Sequence, residues 1–265
     1  MSTLAARADA LLAAHRADAP LLLPNVWDVA SAKVVEAAGF PVVATSSRAI
    51  AEVLGVADDD SSDPDLVFEH LGRLAASVDR PVTADLEAGY RLAPDELVER
   101  MLAAGIVGCN LEDTDHHGDE VLVDAARQAE YLAAVRAAAG AHGVHVVINA
   151  RIDCFIRHLG DPPAQLAEAL RRAERYLAAG ADCVYPIALA DRAAIASFVS
   201  SVPGPVNVTA RPGGLSLGEL AELGVRRVSL GSGLFNLARE HLRAVLARLG
   251  SDGLASLWPP TTTPR

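Results

Sequence analysis

The 265-residue chain is short of cysteine, of clustered basic residues and of long apolar runs, and each shortage removes a class of function. Its three cysteines, Cys109, Cys154 and Cys183, lie far apart with no C-x-x-C pair, which fits neither a disulfide framework nor a zinc site. They read as small buried hydrophobes, with Cys154 set apart only by its closeness to Arg151 and Asp153. Lys plus Arg number 23 against 34 Asp plus Glu, for a formal charge of -11, and the basic residues gather nowhere. Such a surface repels phosphate backbones, so no nucleic-acid partner is expected. Apolar runs break at Gly, Pro or charge well before the ~20 residues of a membrane span, so no membrane partner is expected either. The opening MSTLAARADALLAAHRADAP lacks the basic start and apolar run of a signal peptide. Its apolar residues recur at helical spacing, and an extra N-terminal surface helix of a cytoplasmic protein is expected there.

What the chain has in plenty is apolar sequence, 51% of its residues, organised by one recurring device. A helical segment ends in small or apolar residues and a glycine, and an apolar strand follows at once. The device occurs in EAAGFPVVATS (36–46), LAAGIVGCNLE (102–112), LAAGADCVYPI (177–187) and AELGVRRVSLG (221–231). Glycine suits the left-handed cap that stops a helix before a tight return to a strand. The apolar runs at 21–25, 81–87, 144–151 and 205–210 bring the strands to eight, alternating with helix-like segments. Regular alternation implies a parallel sheet, and eight strands favour an α/β fold closed into a single-domain (β/α)8 TIM barrel over residues 1–250. A doubly wound open sheet is the second choice. Residues 251–265 form a short C-terminal tail whose WPPTTTPR end is expected to fray.

Chemistry in such a barrel sits where the strands end. The polar residues at those points include Asn25 and Asp28; Thr45, Ser46 and Ser47; Asp85 and Glu87; Asn110, Glu112 and Asp113; Asn149, Arg151 and Asp153; Asn207, Thr209 and Arg211. Acids concentrate on two neighbouring strands. Period-two alternation points Asp85 and Glu87 to one side, with Glu112 entering the same mouth. Unpaired, the three would repel and be costly to bury. A hard dication, Mg2+ or Mn2+, resolves the conflict, and so does a salt-bridge network with Arg151; spacing alone does not choose. His116 and His117 read as part of a solvated loop. The run DDDSSD (58–63) reads as a loop tip, with a closing lid over residues 48–62 as its alternative. GSGLF (231–235) opens the last helix as an anion cradle or a plain turn.

Together PNVWDVASA, VVATSS with LGVADD, VTADLEAGY, GCNLEDTD, INARIDCF and RVSLG resemble the isocitrate lyase and phosphoenolpyruvate mutase superfamily, in the family's order and over nearly the whole chain. D-x-E-x-G-Y followed one βα unit later by N-L-E-D is the most specific part. The resemblance implies a (β/α)8 barrel, Mg2+ (or Mn2+) and a small anionic 2-oxo acid or its enolate bound at the metal. Carried over by position, it implies Asp85 as direct metal ligand, with Glu87 and Glu112 holding the ion partly through water. Asp58 is the implied lid carboxylate, Ser46 and the amides after it hold the substrate carboxylate, and Arg151 pairs with its anionic groups. Ser47, Arg48, Trp27 and Asn207 complete the substrate contacts, and Asp58, Arg151 and Glu112 form the catalytic set.

Departures from the family pattern bear on the reaction. The lyases' K-K-C-G-H motif is replaced by DTDHHGDE, and the lysine and Asn-Ser pair of the phosphonate enzymes are missing, since Lys33 is the chain's only lysine. Arg48 stands where small residues are usual, either narrowing the pocket or adding an anion contact. The expectation is therefore an enzyme that makes or breaks a carbon-carbon bond at C3 of a pyruvyl unit, a lyase or decarboxylase on a small 2-oxo or 2-hydroxy dicarboxylate. The alternatives are phosphoenolpyruvate mutase or phosphonopyruvate hydrolase chemistry, and a catalytically silent metabolite-binding barrel. Family members often exchange a C-terminal helix between subunits; this tail is short for that, but a homo-oligomer, dimer or tetramer, is expected.

Overall fold

The computed structural model describes residues 3–254. The four helix-stop glycines fold as their composition dictates: Gly39, Gly105, Gly180 and Gly224 take φ of +87°, +79°, +101° and +85°, left-handed backbone that a side chain would strain. At the opposite ends, helix N-termini are capped by short acceptors, among them Asp28, Asp63, Asp161 and Ser216. Each βα unit thus carries its own start and stop signals.

Parallel strands β2 (Asn25–Val26), β3 (Val43–Thr45), β4 (Val82–Asp85), β5 (Gly108–Glu112), β6 (Val147–Ile152) and β7 (Cys183–Pro186) pair in that order. A second sheet orders β1 (Leu21–Leu23), β9 (Arg227–Ser229) and β8 (Asn207–Thr209) as β1-β9-β8. Two links close the ring. Val184 bridges to Val206, its N–H reaching Pro205 O at 3.0 Å, and the chain runs directly from β1 into β2 across Pro24. Pro24 has no N–H to give a ladder, so one stave of the barrel is counted as two strands. The result is the expected eight-stave barrel rather than an open sheet.

Helices α1 (Leu4–His15), α2 (Val29–Ala37), α3 (Ser47–Leu54), α4 (Pro64–Ala76), α5 (Pro94–Ala103), α6 (Ala125–Ala141), α7 (Pro162–Ala178), α8 (Arg192–Ser201), α9 (Leu217–Glu222) and α10 (Gly233–Asp252) surround or follow the staves. Helix α3 corrects the sequence reading, which left residues 48–62 as loop. Its apolar positions Ala49, Ile50 and Ala51 are buried, Ser46 caps its start and the left-handed Gly55 its end, and the stretch is strongly amphipathic, a helical signal in the sequence that the reading passed over. Helix α10 runs past the expected boundary at residue 250, and most of the expected tail lies outside the described residues. Among the described residues no helix is long and apolar enough to cross a membrane.

The extra N-terminal helix packs on the barrel where a glycine makes room for it. A Cβ added at Gly108 would lie 2.6 Å from Leu11 Cδ2. Above it the barrel interior holds Arg227, 2% exposed, whose guanidinium reaches Asn110 Oδ1 at 3.1 Å and His15 Nε2 at 3.3 Å. Among the described residues no carboxylate pairs with it, and burial lowers its pKa. His15 donates from Nδ1 to Leu11 O at 2.8 Å; burial and then the Arg227 charge push its pKa down to about 4, so it stays neutral.

Candidate active site

Register sets the heights at the mouth. Asp85 lies opposite Asn110, and Asn110 opposite Asn149; Glu112 lies opposite Arg151, and Arg151 opposite Tyr185. The acids of β4 and β5 therefore occupy two levels, two residues or roughly 7 Å of strand apart. Glu87 departs further from the alternation argument. It lies beyond the end of β4 with φ +51°, so it does not continue the strand's period. It lines a small crevice with Ser47, Ser62 and Tyr90 instead of the main cavity.

That main cavity, about 450 Å³, has Ser46, Ser47, Arg48, Asp58, Asp85 and Arg151 in its wall. Asp85 accepts at Oδ2 from Ser47 Oγ (3.0 Å) and Ser47 N–H (3.3 Å), because α3 begins immediately beside it. Its Oδ1 is buried and has no hydrogen-bond partner among the described residues. Ser46 caps α3, its Oγ accepting from Ala49 N–H at 3.5 Å. Asp58 also faces the cavity, and its pKa is raised by burial and then by the Asp85 charge.

Glu112 and Arg151 are bound into a different arrangement. Glu112 Oε2 pairs with Arg151, and Oε1 lies 2.5 Å from His116 Nε2. Arg151 forks onto Asp153, Nε to Oδ1 at 2.8 Å and Nη2 to Oδ2 at 2.9 Å. Thr114 Oγ1 donates to Asp153 Oδ2 at 2.6 Å, and Asp153 N–H to Asp113 Oδ1 at 2.9 Å. Asp113 Oδ2 then receives Arg172 Nη1 (2.9 Å) and Tyr176 Oη (2.7 Å) from α7. Burial and the neighbouring Asp153 push the Asp113 pKa up to about 6 despite those donors.

The histidine loop corrects another expectation in part. His116, half-buried, meets Glu112 rather than solvent; His117 does lie in an exposed loop, as expected, although its Nε2 reaches to 3.0 Å from Asp60 Oδ2. Asp60 itself was not singled out by sequence reasoning. It is 3% exposed, has φ +59°, donates its N–H to Glu87 Oε2, and accepts Tyr90 N–H at 2.7 Å and Ala88 N–H at 3.1 Å. Nothing in three consecutive aspartates marks the middle of DDDSSD for burial. Glu87, held this way, has its pKa pushed up to about 8 by burial, with Asp58, Asp85 and Glu112 adding to the rise against the Asp60 N–H.

The remaining expected site residues divide clearly. Trp27 packs its ring edge-on against Phe235 at 5.2 Å, and Asn207 is fully buried within β8; neither is in the cavity wall. Cys154 is buried with its thiol pushed up to about 12, which leaves it inert at neutral pH. Among the described residues no three His, Cys, Asp or Glu side chains close on one point as a direct metal shell. The oxygen donors and the orphaned Asp85 Oδ1 fit a hard dication held directly by one carboxylate.

An eight-stave α/β barrel with acids and an arginine fork at its C-terminal face defines a class, and the comparisons give the family. The phosphoenolpyruvate phosphomutase model matches residues 11–249, and the chain belongs to the isocitrate lyase and phosphoenolpyruvate mutase superfamily. An uncharacterized protein of Mycobacterium tuberculosis is 32% identical over 240 residues, covering 90% of this chain and 88% of its own. A crystal structure from Burkholderia cenocepacia J2315, provisionally described as a phosphonomutase, is 38% identical with a TM-score of 0.85, covering 91% of this chain and 99% of that one. A phosphonopyruvate hydrolase crystallised with oxalate and Mg2+ is 27% identical with a TM-score of 0.84, covering 98% of this chain and 92% of that one. Family members are carbon-carbon lyases or mutases, and this chain is an enzyme of that type.

Proposed function

We propose that the chain is an Mg2+-dependent lyase or decarboxylase that makes or breaks a carbon-carbon bond at C3 of a pyruvyl unit in a small 2-oxo or 2-hydroxy dicarboxylate. The observation that carries this reading is the buried, partnerless Asp85 Oδ1 in the wall of the mouth cavity. An isolated carboxylate oxygen held there is costly unless something cationic arrives with the substrate. When bound, Mg2+ (or Mn2+) would supply positive charge beside the oxygen on which charge develops as the C3 bond breaks.

The chain's own groups divide the remaining work. Asp85 would hold the ion, Glu87 and Glu112 would orient its waters, and Ser46, Ser47 and the first amides of α3 would take the substrate carboxylate. Arg151, its fork held by Asp153 and its Nη1 by Glu112, would offer the substrate's anionic side only the Nη hydrogens that these partners leave over. Asp58, protonated more readily than an ordinary carboxyl, stands in the cavity where a proton can be held.

The test is calorimetry with Mg2+ and oxalate, followed by a turnover panel of oxaloacetate, alkylmalates and phosphonopyruvate. Oxalate binding that requires Mg2+, with carbon-carbon cleavage of one or more of the acids, is expected. Turnover of phosphonopyruvate alone would move the assignment to phosphorus-carbon chemistry, and oxalate binding without any turnover would make the barrel a silent metabolite binder.

The expected homo-oligomer belongs to the same reading. Helix α10 exposes Leu237, Leu242 and Leu246 by 61%, 56% and 55%, apolar surface on more than one side of the helix that a second copy of the chain would cover. Light scattering of the full chain checks it, with a dimer or tetramer expected.

A further inference from the structure

Three guanidinium groups line the mouth cavity although the chain as a whole carries -11. Arg151 is committed to Glu112 and Asp153. Arg48 and Arg211 are different, since neither makes an ion pair with a described residue.

The placement of Arg48 works against its own helix. It is the second residue of α3, where the helix dipole disfavours a cation. Its natural partner four residues on, Glu52, is already paired with Arg239 of α10. Local stability does not account for an arginine at this position; the cavity it lines does.

Arg211 follows β8, and in the ring of staves β8 lies four places from β4, directly across the mouth from Asp85. The turn after it fixes the backbone, with Gly214 N–H donating to Arg211 O at 3.0 Å. A ligand anchored at Asp85 by one end therefore extends its far end toward Arg211, with Arg48 flanking.

We propose that Arg211, assisted by Arg48, forms a subsite for a second anionic group, so that the substrate carries a carboxylate at each end. This rests on the function proposed above, whose metal end it extends. A guanidinium reads a carboxylate through two parallel hydrogen bonds and does not need burial to select for charge at that position.

Binding of oxalate, pyruvate, 2-oxoglutarate and 2-oxoadipate is measured in the presence of Mg2+ for the full chain and for Arg211→Gln, Arg211→Lys and Arg48→Gln. Both arginines are exposed, so the variants are expected to fold like the parent. The parent should bind at least one of the longer diacids more tightly than pyruvate. Arg211→Gln should weaken that diacid about tenfold or more while oxalate changes by less than about twofold. Arg48→Gln should do the same to a smaller degree, and Arg211→Lys should recover part of the loss. Equal losses for oxalate and the diacid, unchanged diacid binding in Arg211→Gln, or a parent that prefers pyruvate would each overturn the subsite. If oxalate fails to bind anywhere while Arg211→Gln still weakens a diacid, the metal reading falls and the subsite stands.

Discussion

Two sides of one barrel mouth treat buried charge in opposite ways. On the β5–β6 side, both oxygens of Glu112, Asp153 and Asp113 have partners, supplied by Arg151, Arg172, Tyr176, Thr114 and His116. On the β4 side, Asp85 keeps one oxygen buried with none. The difference separates scaffold from site. Paired buried charges hold geometry and are costly to break, whereas an unpaired one lowers stability and persists where binding makes use of it.

The sharpest way to break the comparison is Asp85→Ala. Turnover should fall by about a thousandfold or more and Mg2+-dependent oxalate binding should vanish, with the melting temperature unmoved or raised. Activity surviving in that variant would falsify the metal reading. On the paired side, Asp113→Ala removes the buried acceptor of Arg172 Nη1 and Tyr176 Oη, leaving Glu168 as the remaining carboxylate on Arg172, and should cost about 3 kcal/mol in denaturant unfolding. A midpoint near the parent's would mean that the network is not scaffold.

Glu87 sharpens the picture through pH. Its carboxyl binds a proton more tightly in the folded chain, with a pKa of about 8 against 4.5. Its contribution to stability is therefore complete below 4.5 and disappears as pH rises through about 8. Without Mg2+, Glu87→Gln should flatten the fall in melting temperature across that window, and a curve parallel to the parent's would contradict the shift. The smallest effect belongs to the exposed pair Arg73–Glu69: Arg73→Ala should change stability by less than about 0.5 kcal/mol.

Much of the architecture could be read directly because each βα unit announces itself. The A-G and L-G helix stops predicted left-handed glycines at 39, 105, 180 and 224, and all four have positive φ. Helix α3 was missed although its periodicity and its Ser46 and Gly55 caps were legible, because only eight residues carry them and the acidic run that follows drew the segment into a loop reading. At the site, Asp85, Ser46, Ser47, Arg48, Asp58 and Arg151 could be found from strand ends and family motifs, and they share one cavity wall. Glu87 was placed by an alternation that its left-handed backbone does not obey. The pairing of His117 with Asp60 joins loops 57 residues apart, and residue type alone gives no signal for such a contact; that of His116 with Glu112, four residues back, depends on how the chain turns after β5. Arg211 appeared among the polar strand ends, but only the ring of staves shows that it stands opposite Asp85.

The guanidinium of Arg227 sits inside the barrel with no counterion among the described residues, closed off from below by His15 of α1. Its charge reaches upward through a medium that screens it weakly, and Asp85 is among the groups that feel it. An acidic protein thereby keeps one positive charge inside its barrel, beneath the carboxylates of the mouth. Trimming the chain before residue 16 would admit water beneath that charge, so the leading helix works as insulation and a shortened version should hold its ligands less firmly even with every mouth residue in place.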